Sequence, residues 1–399
     1  MDLRYTEAEQ RFREEVRAFV QNNLPTDISA KVLNHQRVEK DDYVRWHRIL
    51  HSRGWGAPAW PVEHGGTGWS PLQRLIFEIE CYRAGAPRPL LFGIAMIAPV
   101  LIKFGSPEQK SRFLPRIPGI EDFWCQGYSE PGAGSDLASL KTRALRDGEC
   151  YIVNGQKIWT TMAQWADWIF CLVRTNPDAA RAQEGISMLL IDMKTPGITV
   201  RPITTLDGGQ DVNEVWFENV AVPVKNLVGE ENHGWTYAKY LLGHERTGIV
   251  GIGHCYRELR HLKHYAAQTL GDDGHPLIDN PRTRDKIARV EIDLMALEML
   301  LLRVATEEAG RGPGPEASIV KLRGSELQQE LAMLQMEIAG LNAWPFEPEW
   351  MDAGTPQPVA GPEWAALATA TYFDMRKTSI YGGATEVQKN IISKMILGL

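Results

Sequence analysis

The sequence predicts an α+β protein: a helical N-terminal domain over residues 1–122, a central antiparallel β domain over 123–230 and a C-terminal helical bundle over 231–399. Three observations predict it. Helical periodicity with clear start signals fills the first stretch, short apolar runs divided by turn residues fill the second, and the helical period returns after "GEENHGW". With 399 residues, 44% of them hydrophobic, the chain can bury more than one core, which fits two or three domains.

In the first stretch, Thr6 and Glu9 make a capping box, and Phe12, Val16, Phe19 and Val20 share one face until Asn22, Asn23 and Pro25 end the helix. Ser70-Pro71 with Gln73, and Ser106-Pro107 with Gln109, repeat the cap-then-proline start. Between them "LLFGIAMIAPVLIKFG" is apolar on all sides and predicts a buried helix.

The second stretch opens with "GYSEPGAGSD", residues 127–136, which is rich enough in glycine to suggest a phosphate cradle. It lacks the third glycine of the dinucleotide fingerprint, and a strand-turn-strand pattern follows it in place of a helix. Turns are expected at Asp147-Gly148 and at Asn154-Gly155, with strands in "YIVNGQKIWTT", "WIFCLVRT", "ISMLLIDM", "ITVRPIT" and "EVWFENVAV". The loop therefore opens a meander.

In the third stretch, "LLGHERTGIVGIGHCY" places Gly243, Gly248, Gly251 and Gly253 inside a helical pattern, where each costs about 1 kcal/mol relative to alanine. Either the segment is a loosely made loop, or the helix approaches a ligand or another backbone closely. Glu245 and Arg246 lie within it, and periodicity alone reads them as a solvated face. Near the end, "TSIYGGATEVQKNII" sets a glycine pair before a helix, which is either an ordinary entry or a site for an anion or carbonyl. The Pro- and Trp-rich loop 343–361 either shapes a partner surface or caps the bundle.

Composition narrows the function. A net charge of -7 argues against nucleic acid. No apolar run suits a membrane span or a signal peptide, so a cytoplasmic location is expected. The five cysteines have no C-x-x-C spacing and read as free, buried thiols. His261 and His264 lie three apart on a helix, but without a recognisable carboxylate partner they read as a solvated face, and no metal is expected.

The helix-β-helix layout, the PGAGSD loop, "GQKIWTTMAQWADW", a Glu-Arg pair on a glycine-rich helix and "IYGGATEVQKNII" occur in this order along essentially the whole chain. Together they resemble the acyl-CoA dehydrogenase family. The resemblance implies FAD, a coenzyme A thioester substrate, dehydrogenation to a trans-2-enoyl-CoA, and electron transfer to an electron-transferring flavoprotein. It implies that Gln126, Tyr128 and Ser129 lie along the isoalloxazine, that Gly134 and Ser135 reach flavin phosphates or the pantetheine arm, that Trp159 shields the other flavin face, and that Thr161 bonds near N5. Gly383, Thr385 and Glu386 would touch FAD, and Arg246, Tyr381 and Gly382 the substrate. In one branch the base follows the tyrosine of the C-terminal motif, but Gly382 stands there. In another branch, resembling isovaleryl-CoA dehydrogenase, the base precedes the mid-chain arginine, and Glu245 matches it.

The family's Arg-x-x-Phe-Gly run and later Gln, which bind the neighbouring subunit's FAD, are missing from "TLGDDGHPLIDNPRTRDKIA"; Arg282 or Arg284 would be the substitutes. This allows a homo- or hetero-oligomer, a dimer or tetramer, like bacterial branches resembling the pimeloyl-CoA dehydrogenase large subunit and the steroid-type enzymes. Competing readings are an oxygen-reacting relative, a catalytically silent subunit and, least consistent with the β-domain motifs, a helical binding module.

Overall fold

The computed structural model describes residues 5–311, 314–355 and 361–399; of these, the side chains of 243–249 and 307–311 lie outside the description. The chain begins with α1 (Glu7–Asn23), α2 (Thr26–Leu33), α3 (Lys40–Ser52), α4 (Pro71–Arg83), α5 (Ala98–Phe104) and α6 (Pro107–Phe113). Seven strands follow: β1 (Trp124–Gly127), β2 (Arg143–Asp147), β3 (Cys150–Thr161), β4 (Trp168–Arg174), β5 (Ile186–Asp192), β6 (Ile198–Ile203) and β7 (Val212–Pro223). Then come α7 (Gly234–Ile249), α8 (Ile252–Gln268), α9 (Pro281–Arg311), α10 (Ala317–Ala339), α11 (Ala368–Met375) and α12 (Thr385–Ile392). The three expected capping boxes, at Thr6, Ser70 and Ser106, all form with both reciprocal hydrogen bonds.

Two compact units result, one of Met1–Ile49, Gly68–Pro89 and Arg246–Leu399, the other of Leu50–Thr67 and Leu90–Glu245. In the first, α8, α9 and α10 pack through Ile252, Leu262, Val290, Leu294, Val320 and Leu331. Gly251, at φ 60, turns the chain between α7 and α8, so the glycine-rich stretch is two helices and not one loop. Gly253 then allows close packing, since a Cβ there would lie 2.7 Å from the Tyr82 ring on α4. In loop 343–361, Phe346 and Trp350 pack beside buried Met351 and Leu367 while Trp344 is exposed; residues 356–360 lie outside the description.

The second unit is built on a seven-stranded sheet ordered β1-β4-β2-β3-β7-β6, with β5 on β4. β4 is buried on both faces, which explains its unbroken apolar run: Trp168, Phe170 and Leu172 join one core, and Ile169, Cys171 and Val173 the other. Three expectations are corrected in detail. β1 and β2 pair with β4 in parallel, β1 in register Gln126↔Phe170, so the sheet is mixed; the intervening β2–β3 hairpin supplies the long crossover that parallel pairing needs. Asn154-Gly155 lies within one long strand and is not a turn: the register irregularity there places its extra residue on β7, where Asn219 has φ 53, while Gly155 at φ 151 has room for no Cβ against Thr142. The apolar helix before α5 begins with a π-helical segment, Phe92–Ile97, whose last amide, on Ala98, reaches back to the Gly93 carbonyl. Pro99 has no N–H to continue a regular ladder at that point.

Candidate functional site

The loop 127–136 is held from inside by one carboxylate. Glu130 and Ala133 exchange backbone hydrogen bonds at 3.0 Å, closing a tight turn. The Glu130 side chain accepts from the Lys141 N–H at 2.6 Å, the Thr142 N–H at 2.9 Å and the Lys157 ammonium at 2.7 Å. Lys157, on β3, is 0% exposed and also donates to the Tyr128 carbonyl at 3.1 Å. Burial pushes the Glu130 carboxyl up, but the Lys157 charge and the converging hydrogen bonds outweigh this and hold it below the ordinary value. A further bond, Ile158 N–H to the Ser129 carbonyl at 2.9 Å, ties the loop to β3.

That tie lies next to a second irregularity of β3. The register with β7 shifts between Lys157 and Thr160, and Trp159 at φ 59 and Met162 at φ 57 take the left-handed conformation. A bulky residue there is strained by about 1–3 kcal/mol. The bulge turns the Trp159 indole outward, 57% exposed. Asn213 fixes the strand behind it, donating to the Thr160 carbonyl at 3.0 Å and to Gln164 at 2.6 Å. Gln126 Nε2 and Thr160 Oγ1 are among the buried side-chain polar atoms of this unit that have no hydrogen-bond partner among the described residues. Thr161 is half-buried, and Gly134 and Ser135 are exposed, with open space where a Gly134 Cβ would stand.

So Gln126, Tyr128, Ser129, Trp159 and Thr161 come from one neighbourhood of the sheet, where the end of β1 and its loop are tied to β3. Tyr128 is buried with its ring edge-on to Phe170, so its backbone is what the loop displays. In the same unit a cavity of about 450 Å³ is lined by Arg181, Asn232, His233, Trp235, Thr236 and Lys239, at the start of α7. Glu245 and Arg246 fall on the C-terminal part of α7, and their side chains lie outside the description.

The C-terminal motif belongs to the helical unit. Gly382 at φ 62 and Gly383 at φ 90 turn the chain into α12, a conformation that side-chain-bearing residues resist. Gln388 reaches back from α12 to the Gly382 and Gly383 carbonyls at 3.1 and 3.2 Å. Thr385 donates to the Ser379 carbonyl at 3.4 Å, and Glu386 is exposed in the first turn of α12. Upstream, Lys321 and Ser325 of α10 both donate to the Thr378 carbonyl at 3.0 Å. Tyr381 hydrogen-bonds Arg88, whose charge also acts on Glu78; burial raises the Glu78 carboxyl to about 7 against the lowering effects of the Gly253 N–H and Arg88. Arg282 and Arg284 are exposed at the start of α9.

Sequence reasoning missed Glu130, Lys157 and Asn213. The signal for Lys157 is its place at the same strand parity as Tyr151 and Val153, which face the core.

The order of elements, helices, then a seven-stranded sheet with a glycine-rich loop tied to β3, then helices, defines a class that sequence comparison specifies. Family models of the N-terminal, middle and C-terminal domains of acyl-CoA dehydrogenases match residues 6–119, 125–220 and 232–397, and the chain belongs to the acyl-CoA dehydrogenase family. It is an oxidoreductase of that kind. It is 35% identical to the acyl-CoA dehydrogenase IpdE1 of Mycobacterium tuberculosis, over 97% of each chain. Among solved structures it resembles a chain of the ChsE4-ChsE5 complex of the same organism, with 35% identity, TM-score 0.84, and 100% and 99% of the two chains covered. It also resembles the Tcur3481-Tcur3483 steroid acyl-CoA dehydrogenase, with 31% identity, TM-score 0.84 and the same coverage. No helix among the described residues is long and apolar enough to cross a membrane.

Proposed function

We propose that this chain binds FAD and desaturates a coenzyme A thioester with a steroid-derived acyl group, using Glu245 as the base. The observation that carries this reading is the strained, outward-turned Trp159 beside the clamped loop, a costly arrangement that leaves a large indole exposed. The residues present fit a flavin: the unpartnered Gln126 Nε2 and Thr160 Oγ1 offer polar contacts, and the open space at Gly134 lets a phosphate approach the backbone. Ser129, Ser135 and Thr161 would complete that set, and in the helical unit Gly383, Thr385 and Glu386 are separately proposed as FAD contacts. FAD, when bound, would supply the acceptor for the β-hydride and the route for electrons to an electron-transferring flavoprotein.

This chain's own residues do the proton and oxyanion work. Glu245 takes the α-proton of the thioester, and Arg246 holds that end of the substrate. The Gly382 N–H, turned by two left-handed residues, donates to the thioester oxygen as charge develops there. The cavity lined by Arg181, Glu184, Trp235 and Lys239 offers two cations, one of them paired with Glu184, and an indole, which suits the nucleotide end of coenzyme A. The steroid class is supported by the similarity to a steroid acyl-CoA dehydrogenase, and a heteromeric assembly by the two-protein complexes that these neighbours form.

Anaerobic flavin absorbance tests the reading, with short, long, branched, dicarboxylic and steroid acyl-CoAs titrated into wild type and Glu245→Gln. Bleaching by the steroid thioesters alone, abolished by the substitution, is expected. Oxidised flavin persisting with every thioester, or full bleaching of Glu245→Gln, refutes it. Native mass spectrometry showing a single chain type with one flavin per chain refutes the heteromer.

A further inference from the structure

Within the helical unit, the connection between α2 and α3 brings His35 against α8. His35 Nε2 lies 3.4 Å from Glu258 Oε2, and His261 Nδ1 lies 3.8 Å from the same oxygen; the three atoms are within 4.8 Å of one another. Glu258 is 3% exposed, and both imidazole nitrogens are buried without a hydrogen-bond partner among the described residues. His264, three residues on, is exposed. The expectation of a solvated face therefore holds for His264 and fails for His261, because the carboxylate partner sits one turn earlier on the same helix.

The His35–Glu258 separation of 3.4 Å is long for a charge-assisted hydrogen bond and matches two ligands on one ion, and His261 at 3.8 Å from the same oxygen stands a few tenths of an ångström outside that spacing. A charge-assisted N–H···O contact closes to about 2.7–2.9 Å. Two ligands bonded at about 2.0–2.1 Å around one tetrahedral ion stand about 3.4 Å apart. The carboxylate is already oriented, since Gln335 donates to Oε2 at 2.8 Å and Arg257 donates to Oε1 at 2.8 Å. His254 stands 3.7 Å from Oε1 and takes up Arg257 at 2.9 Å, so the guanidinium is engaged on the far oxygen.

We propose that His35, His261 and Glu258 bind one zinc-class transition dication. Two imidazoles and one carboxylate suit zinc or its first-row neighbours, whereas calcium and magnesium want oxygen ligands. The ion would fasten the α2–α3 connection to α8. That connection is irregular where it turns: His35 has φ 55, and it is held otherwise by the Arg37 N–H to the Met351 carbonyl at 2.6 Å and the Arg37–Asp352 ion pair at 2.5 Å. The role is structural, and the site does not rest on the proposed reaction.

The test uses chelator-stripped, dialysed holoenzyme and zinc alone. Calorimetric titration is expected to show one zinc per chain, and zinc in hundred-fold excess over its Kd should raise the thermal midpoint by about 5 °C. His35→Gln and His261→Gln are expected to abolish both effects, and His264→Gln to retain them. Zinc binding undiminished in both substituted proteins, or none in wild type, overturns the proposal. Zinc-edge X-ray absorption of loaded wild type gives an answer that needs no variant. Two imidazole nitrogens and light-atom ligands support the site, and a sulfur ligand or fewer than two imidazoles overturns it.

Discussion

Lys157→Met removes the buried cation on which the loop 127–136 depends. Lys157 is fully enclosed and stands 2.7 Å from Glu130, so the substitution strands a buried carboxylate. Breaking a buried pair from one side costs about 3–5 kcal/mol. Glu130 keeps two backbone donors, at 2.6 and 2.9 Å, which places the expected loss near the low end, about 3 kcal/mol. With an m value of about 3 kcal/mol/M, that is a fall of about 1 M in the urea midpoint. The assay is urea unfolding of wild type, Lys157→Met, Glu130→Gln and the double variant, followed by far-ultraviolet circular dichroism. The double variant should recover much of the loss, because the uncompensated charge is gone. A single-variant loss under about 1 kcal/mol, or strict additivity in the cycle, would refute the account of the clamp.

Three further outcomes are expected. Trp159→Gly relieves left-handed strain at an exposed site, so the urea midpoint should hold or rise while bound flavin, read by absorbance after gel filtration, falls; a destabilised variant that retains its flavin contradicts the role given to Trp159. Glu78 titrates near 7 in the folded chain, above its unfolded value, so the native state binds the extra proton and wild-type stability falls as pH rises from about 4.5 to 7, by about 3 kcal/mol at most. Glu78→Gln should flatten that slope in urea unfolding at stepped pH, and an unchanged slope would count against it. His47, held at about 4 by burial, acts in the opposite direction: stability is full above pH 6.5 and is lost as pH falls towards 4, a loss that His47→Gln should reduce.

Local signals were the legible ones. A capping box places donor and acceptor within four residues, so Thr6, Ser70 and Ser106 announced their helices directly. Asn154-Gly155 misled because the dipeptide is the usual hairpin signal, whereas here it runs on within a strand, opposite a bulge that only the pairing with β7 reveals. The parallel pairing of β1 on β4 was hidden because nothing in either strand encodes its neighbour's direction. The motifs of the proposed site stand in the sequence, but their supports do not show there: a lysine in "NGQKIW" reads as solvent-facing unless a partner is known, and Glu130 lies 27 residues earlier. His35 and Glu258 are separated by most of the chain, so no spacing pattern could join them.

The bulge at Trp159 is defined only once β7 has paired with β3, and Asn213, which pins it, is 53 residues downstream of Thr160. A nascent chain that has emerged only through β5 thus holds the loop residues without the geometry that displays them. High contact order of this kind slows folding and delays its last contacts. The binding edge of the sheet is therefore expected to be completed late in synthesis, after residues 212–223 have been made, and cofactor capture to follow assembly of the β domain instead of guiding it.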